Sequence, residues 1–274
     1  MAYIPSEEPY LHPYSCVPAP PRISGTAMPH GVFLSTGTAS TASALSLIVT
    51  GLCIVTLGAF SLVPTYMVAW TIEQLIHVPL AAVVLQIGGP ADPATGALAH
   101  MGVNVLSFFM FLVVLRASPL AGYHAAEHMT VHAIEHFGVQ GWQEHVEAMP
   151  RAHLRCGSNL LSGILPALLL GAPLLAVAPP VALLVAVGGW YTRHRLGFFL
   201  QSYFTTKPPS RRQTEAGIAA GEAVLRRWLA DPAPAVSRAR ALWLRGMPQM
   251  VMGVAAAVWI LEPLAQRLHL WLDW

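Results

Sequence analysis

Charge is scarce in this chain. Asp, Glu, Lys and Arg make up 10% of its 274 residues, against roughly 25% in ordinary globular domains, and 55% of the residues are apolar. That balance excludes an enzyme with an ordinary solvated surface. With 15 basic and 13 acidic side chains the formal net charge is +2, too little for a nucleic-acid groove and too even for an acidic disordered chain. Cysteine is nearly absent too. Cys16, Cys53 and Cys156 stand far apart, with no CxxC knuckle and no disulfide framework, so thiol chemistry would rest on Cys156. No glycine-rich phosphate loop, GxSxG elbow or internal repeat of roughly 20 to 50 residues occurs.

What the chain has instead is long apolar runs. No charged residue occurs from Ser43 to Ile72, more than the ~20 residues that span a bilayer core. Pro64 divides this stretch, and a second run reaches Ile87 before the turn at 88–93. The pattern predicts two helices in a tight hairpin; its rival is one long helix followed by an interfacial segment. Further runs at 98–115, 160–177, 181–199 and 247–264 bring the expected number of spans to six. Of the 15 basic residues, 13 fall within 116–155 and 193–245, which places those regions on the cytoplasmic side. Six spans then put both chain ends outside. Residues 1–41, rich in Pro, Ser, Thr and Gly, read as a flexible tail. Residues 42–274 read as a single all-α, multi-pass domain of a bacterial inner membrane, with cytoplasmic insertions at about 116–157 and 200–246. The expected partners are the lipid bilayer and other membrane subunits, with no nucleic acid.

Six of the 12 histidines lie between 124 and 153, and His124, His128, His132 and His136 recur every fourth residue. On a helix with about 100° per residue, His124, Glu127, His128, His132 and Glu135 share one broad face. The rise of about 1.5 Å per residue puts His124 and Glu135 roughly 16 Å apart, so one ion cannot take both. His124, Glu127 and His128 form H-x-x-E-H, in which two imidazoles hold zinc and the carboxylate takes a proton from water. A second possible cluster is His128, His132 and Glu135. Two histidines leave zinc short of ligands, and the candidates for a third are His153, Cys156, Glu215, Glu73 and His77. A plain polar or lipid-facing belt is the competing reading of the same helix. Glu73 and His77, four apart in an apolar run, also read either as functional or as interfacial.

The segments GYHAAEHMTVHAIEH (122–136), HLRCGSNLL (153–161) and LQSYFTTKPPSRRQTEAGIAA (200–220) resemble, in order and spacing, three motifs of the YqhQ-like bacterial membrane family, a domain of unknown function described as predicted metal-dependent enzymes. The resemblance covers about residues 98–225. It implies roles for His124, Glu127, His128, His132 and Glu135 in the first motif, for His153, Arg155, Cys156 and Gly157 in the second, and for Gln201, Thr205, Thr206 and Glu215 in the third. Met129, Ala125, Leu154 and Pro208 depart from the family pattern. No segment like the family's GGQAVxEGVMMR is recognised in residues 1–41.

Locally, Arg155 also reads as an anchor before a helix start, Cys156 as a small buried residue, and Thr205 and Thr206 as a helix stop. Two functions follow. One is a zinc-dependent membrane hydrolase with Glu127 as catalytic base. The other is a non-catalytic scaffold or accessory subunit, in which the histidines hold a structural metal or a tetrapyrrole edge, or nothing.

Overall fold

The computed structural model describes residues 21–230 and 236–272, with side chains up to residue 263. Apart from one hairpin, the described chain is helical. Strands β1 (Ser24–Met28) and β2 (Gly31–Ser35) pair antiparallel, with Gly25 opposite Leu34. The flexible-tail reading of 1–41 therefore fails over 24–35; residues 1–20 lie outside the described residues. Short alternation is hard to see in SGTAMPHGVFLS, and the hairpin owes its order to tertiary burial: every residue of β2 is buried.

Helix α1 (Ala44–Ile76) runs unbroken through Pro64, so one long helix stands where two in a hairpin were expected. Proline removes one donor from the ladder. Nearby, the Ser61 and Thr65 hydroxyls donate to the Gly58 and Ser61 carbonyls within the same helix. The helix stops at His77, which is left-handed, and the Glu73 carboxylate accepts from the Ala81 N–H at the start of α2 (Leu80–Leu85). Glu73 and His77 thus shape a turn.

Helix α3 (Pro93–Ala117), capped by Asp92, leads into α4 (Leu120–Phe137). A 3-10 turn (Gln143–Ala148) and a loop then reach α5 (Gly157–Pro166), which continues through a π turn into α6 (Ala172–Leu174). Helix α7 (Pro179–Leu200), α8 (Arg211–Ala230), α9 (Arg238–Leu244) and α10 (Met247–Leu272) complete the chain. Among the described residues, three helical stretches, Ala44–Ile76, Pro93–Ala117 and Gly157–Leu174, are long and apolar enough to cross a membrane, and a fourth if α9 and α10, bent by 61°, count together. The expectation of six is reduced accordingly. One expected span does not exist as a crossing helix, and α7 carries Arg193 and Arg195. Large apolar side chains such as Phe60, Tyr191 and Trp259 point outward from these helices. Helices α1 and α10 cross at Gly51 and Gly253, where a Cβ would strike the backbone of the other helix, the close approach that small residues permit between apolar helices.

The His-rich helix is no surface element. Thirteen residues of α4, Glu127 and His128 among them, are buried, beneath β1, β2 and α8. Tyr123, Val131, Ile134, Trp142, Val224 and Leu34 form this core. At Gly217 of α8 a Cβ would lie 2.6 Å from the Thr130 hydroxyl and 3.0 Å from the Ala126 carbonyl, so the two helices meet nearly backbone to backbone. The hairpin thereby packs against α4 and α8, the helices of the two regions that hold most of the Lys and Arg.

Candidate metal centre

Four histidine rings from two segments form a continuous chain: His124 to His128 at 4.3 Å, His128 to His153 at 5.8 Å and His153 to His132 at 4.4 Å between centroids. The helical spacing sets the first pair, while the loop before α5 brings in His153. Two groups of ligand atoms result, each with all atoms within 4.8 Å of one another: His124, His128 and Cys156, and His132, Glu135 and His153.

The hydrogen bonds distinguish the two. His124 Nδ1 donates to the Thr205 carbonyl at 3.0 Å, and His128 Nδ1 to the Arg151 carbonyl at 2.6 Å. A carbonyl only accepts, so both rings carry their proton on Nδ1 and turn an Nε2 lone pair inward. This is how metal-ligating histidines are oriented. Cys156 Sγ lies 3.3 Å from His124 Nε2. His128 is 2% exposed and its Nε2 has no hydrogen-bond partner, which is costly for a buried polar atom. The Glu127 carboxylate, 7% exposed, comes within 4.0 Å of that nitrogen.

The second group is already engaged. His153 Nδ1 accepts from the Arg155 N–H at 3.1 Å, so its proton sits on Nε2, which faces Glu135 Oε2 at 3.3 Å. Arg155 Nη2 forms an ion pair with the other Glu135 oxygen. His132 Nε2 donates to the Ala152 carbonyl at 3.0 Å. Binding an ion between these groups would require a tautomer change at His153 and loss of its contact with Glu135.

Burial sets the charge states. It pushes the Glu127 carboxyl up to about 8, with His124 opposing and Cys156 adding to the rise. Burial, then His124, holds His128 well below the ordinary imidazole range. His132 and His153 are brought down to about 4, again chiefly by burial. Burial raises the Cys156 thiol, against the Ser158 hydrogen bonds. The first group therefore offers a neutral His128 imidazole and a protonated Cys156 thiol, with the protonated Glu127 carboxyl beside them, a set that suits a cation able to displace a thiol proton.

The loop that carries Cys156 is fixed from below. Gln201, fully buried, accepts from the His153 N–H at 2.7 Å and donates to Asn159 Oδ1 at 3.0 Å; the Asn159 amide donates to the His153 and Leu154 carbonyls. Thr206, also buried, donates to the Gln201 carbonyl at 2.7 Å. Of the sequence candidates, Gln201, Thr205 and Thr206 thus support the centre, Thr205 through its carbonyl. Glu215 pairs with Arg211 on the exposed side of α8, outside both groups, and so do Glu73 and His77 lie outside them. Asn159 was missed; it stands between Ser158 and an apolar run, and nothing in the sequence singles it out.

The N-terminal hairpin was missed as well. Residues 24–35 align without gaps to GGQAVxEGVMMR, sharing the glycines at 25 and 31, Ala27 and Val32. Too few of the other positions agree for the segment to be recognised without its contact to α4.

No curated protein and no solved structure matches this chain. The family model described as protein of unknown function (DUF1385) matches residues 30–170, just over half of the chain and the part that holds α4 and Cys156, and the chain belongs to that family.

Proposed function

We propose that this chain is a multi-pass membrane metalloenzyme of the YqhQ-like kind, in which His124, His128 and Cys156 hold zinc and Glu127 serves as the base of a hydrolytic reaction in the bacterial inner membrane. One observation carries the reading: both imidazoles are fixed by backbone carbonyls so that their Nε2 lone pairs converge on Cys156, and the buried His128 Nε2 is left without a partner. Two nitrogens and one sulfur with a fourth position open is a catalytic zinc pattern. Bound zinc supplies Lewis-acid activation of water near neutral pH. The Glu127 carboxyl, protonated in the metal-free centre, would be ionised beside a bound cation and could then take and return the proton.

The centre stands where the apolar helices end. Cys156 caps α5, and the Arg116 guanidinium at the end of α3 donates to the Thr206 carbonyl at 2.7 Å. If α7 crosses as well as α10, the chain has five spans, and the hairpin, α4 and α8 share one side, the cytoplasmic one by the rule for basic residues. A buried ion tying α5 to α4 also suits a structural role, since Glu127 and His128 are both buried.

Metal analysis of the detergent-purified protein tests the assignment. About one zinc per chain is expected, lost in His128→Ala and Cys156→Ser and kept in His132→Ala and Glu135→Ala. Loss only in the latter pair would move the ion to the second group. Full retention in all four would end the metal reading.

A further inference from the structure

The N-terminal hairpin touches the centre at one point. At Gly25 a Cβ would lie 2.6 Å from Glu127 Oε1, 2.7 Å from Glu127 Cγ and 2.7 Å from Leu34 Cδ2. Real side-chain carbons do not approach so closely, so something would have to shift. Leu34 is the cross-strand partner of Gly25 and has no exposed surface. Glu127 is 7% exposed, and its other oxygen already faces His128 Nε2 at 4.0 Å. Neither neighbour has solvent to retreat into. The only residue type that leaves this space open is glycine.

We propose that the hairpin is a working part of the centre and that Gly25 is a positioning residue, which seats the Glu127 carboxylate at its distance from His128. The assignment rests on the reading of Glu127 as the base. The hairpin is not a cover laid over a finished site. It closes one side of the carboxylate's pocket: β1 provides the floor at Gly25 and β2 holds Leu34 against it. Helix α4 alone sets the direction in which Glu127 leaves the backbone, whereas the hairpin sets where its oxygens come to rest. The part of the chain with the least obvious sequence signal thereby acts on the residue with the most specific one.

A double-substitution cycle in the full-length, detergent-solubilised protein tests this. Gly25→Ala alone is expected to lower Tm by about 3–8 °C, the effect of a methyl forced into a filled space. Glu127→Asp withdraws the carboxylate by one methylene, so in that background Gly25→Ala should cost less than half as much; Glu127→Ala should relieve it similarly. Co²⁺ serves as the probe for position. The visible spectrum of Co²⁺-loaded Gly25→Ala should depart from wild type, and Glu127→Asp combined with Gly25→Ala should bring it back toward that of Glu127→Asp alone. Equal Tm losses from Gly25→Ala in the wild-type, Glu127→Asp and Glu127→Ala backgrounds would overturn the seat. A wild-type protein that takes up no Co²⁺ overturns the metal reading alone, and the Tm cycle still decides whether Gly25 seats Glu127.

Discussion

His124 Nε2 and Cys156 Sγ stand 3.3 Å apart across 32 residues of chain, and Cys156 is the cap of a helical stretch long enough to cross a bilayer. The contact joins the buried α4 to the first turn of that apolar stretch. An ion held there would clamp the two together, which makes the centre sensitive to both.

Glu127→Gln separates catalysis from structure. The amide keeps size and hydrogen-bonding reach but cannot take a proton, so the variant should accumulate normally, bind zinc fully and lose about 10²- to 10⁴-fold in rate. Complementation of a deletion phenotype, with zinc content and membrane abundance alongside, provides the measurement. A complementing Glu127→Gln variant would favour a structural ion.

Gln201→Ala removes the support beneath Cys156. The His153 N–H and Asn159 Oδ1 would each lose a buried partner, a loss of about 1–3 kcal/mol per group. Zinc affinity should fall by ~10- to 100-fold, as when outer partners of a metal site are removed. Thermal unfolding and competition with a chelator would show both effects; unchanged affinity would mean that the loop holds its shape without Gln201.

The metal-free protein should be weakened by mild acid. His132 and His153 are held near 4 by burial in the folded chain, against about 6.5 when unfolded. Between those values the unfolded chain binds protons that the folded chain refuses. Stability is therefore fully present above about pH 6.5 and declines as pH falls toward 4. Tm measured with chelator at pH 7 and pH 5 should drop, and His153→Asn should shallow the drop. A flat profile would contradict the neutral assignment.

Sidedness is open to thiol labelling. In a cysteine-free background, single cysteines at His30 and Ser210 should respond alike to an impermeant reagent in intact cells, and one at Ala94 oppositely. All three positions are exposed. His30 grouping with Ala94 would separate the hairpin from α4 and refute the packing.

The sequence by itself determined that this is a helical chain with apolar membrane-length helices, because hydrophobic runs and scarce charge are properties of composition and order. It also determined that His124, Glu127 and His128 share a helix face, since a repeat of four residues nearly matches the α-helical turn. Only the tertiary structure decided that this face is buried, that α1 continues through Pro64, and that residues 24–35 form a hairpin rather than a tail. The same holds for the side chain that joins the two imidazoles: among His153, Cys156, Glu215, Glu73 and His77, the loop at 151–156, hung on Gln201 and Asn159, brings Cys156 beside His124. Local spacing fixes directions along one helix. Which atoms meet across 32 or 100 residues depends on packing, and packing is a property of the whole chain.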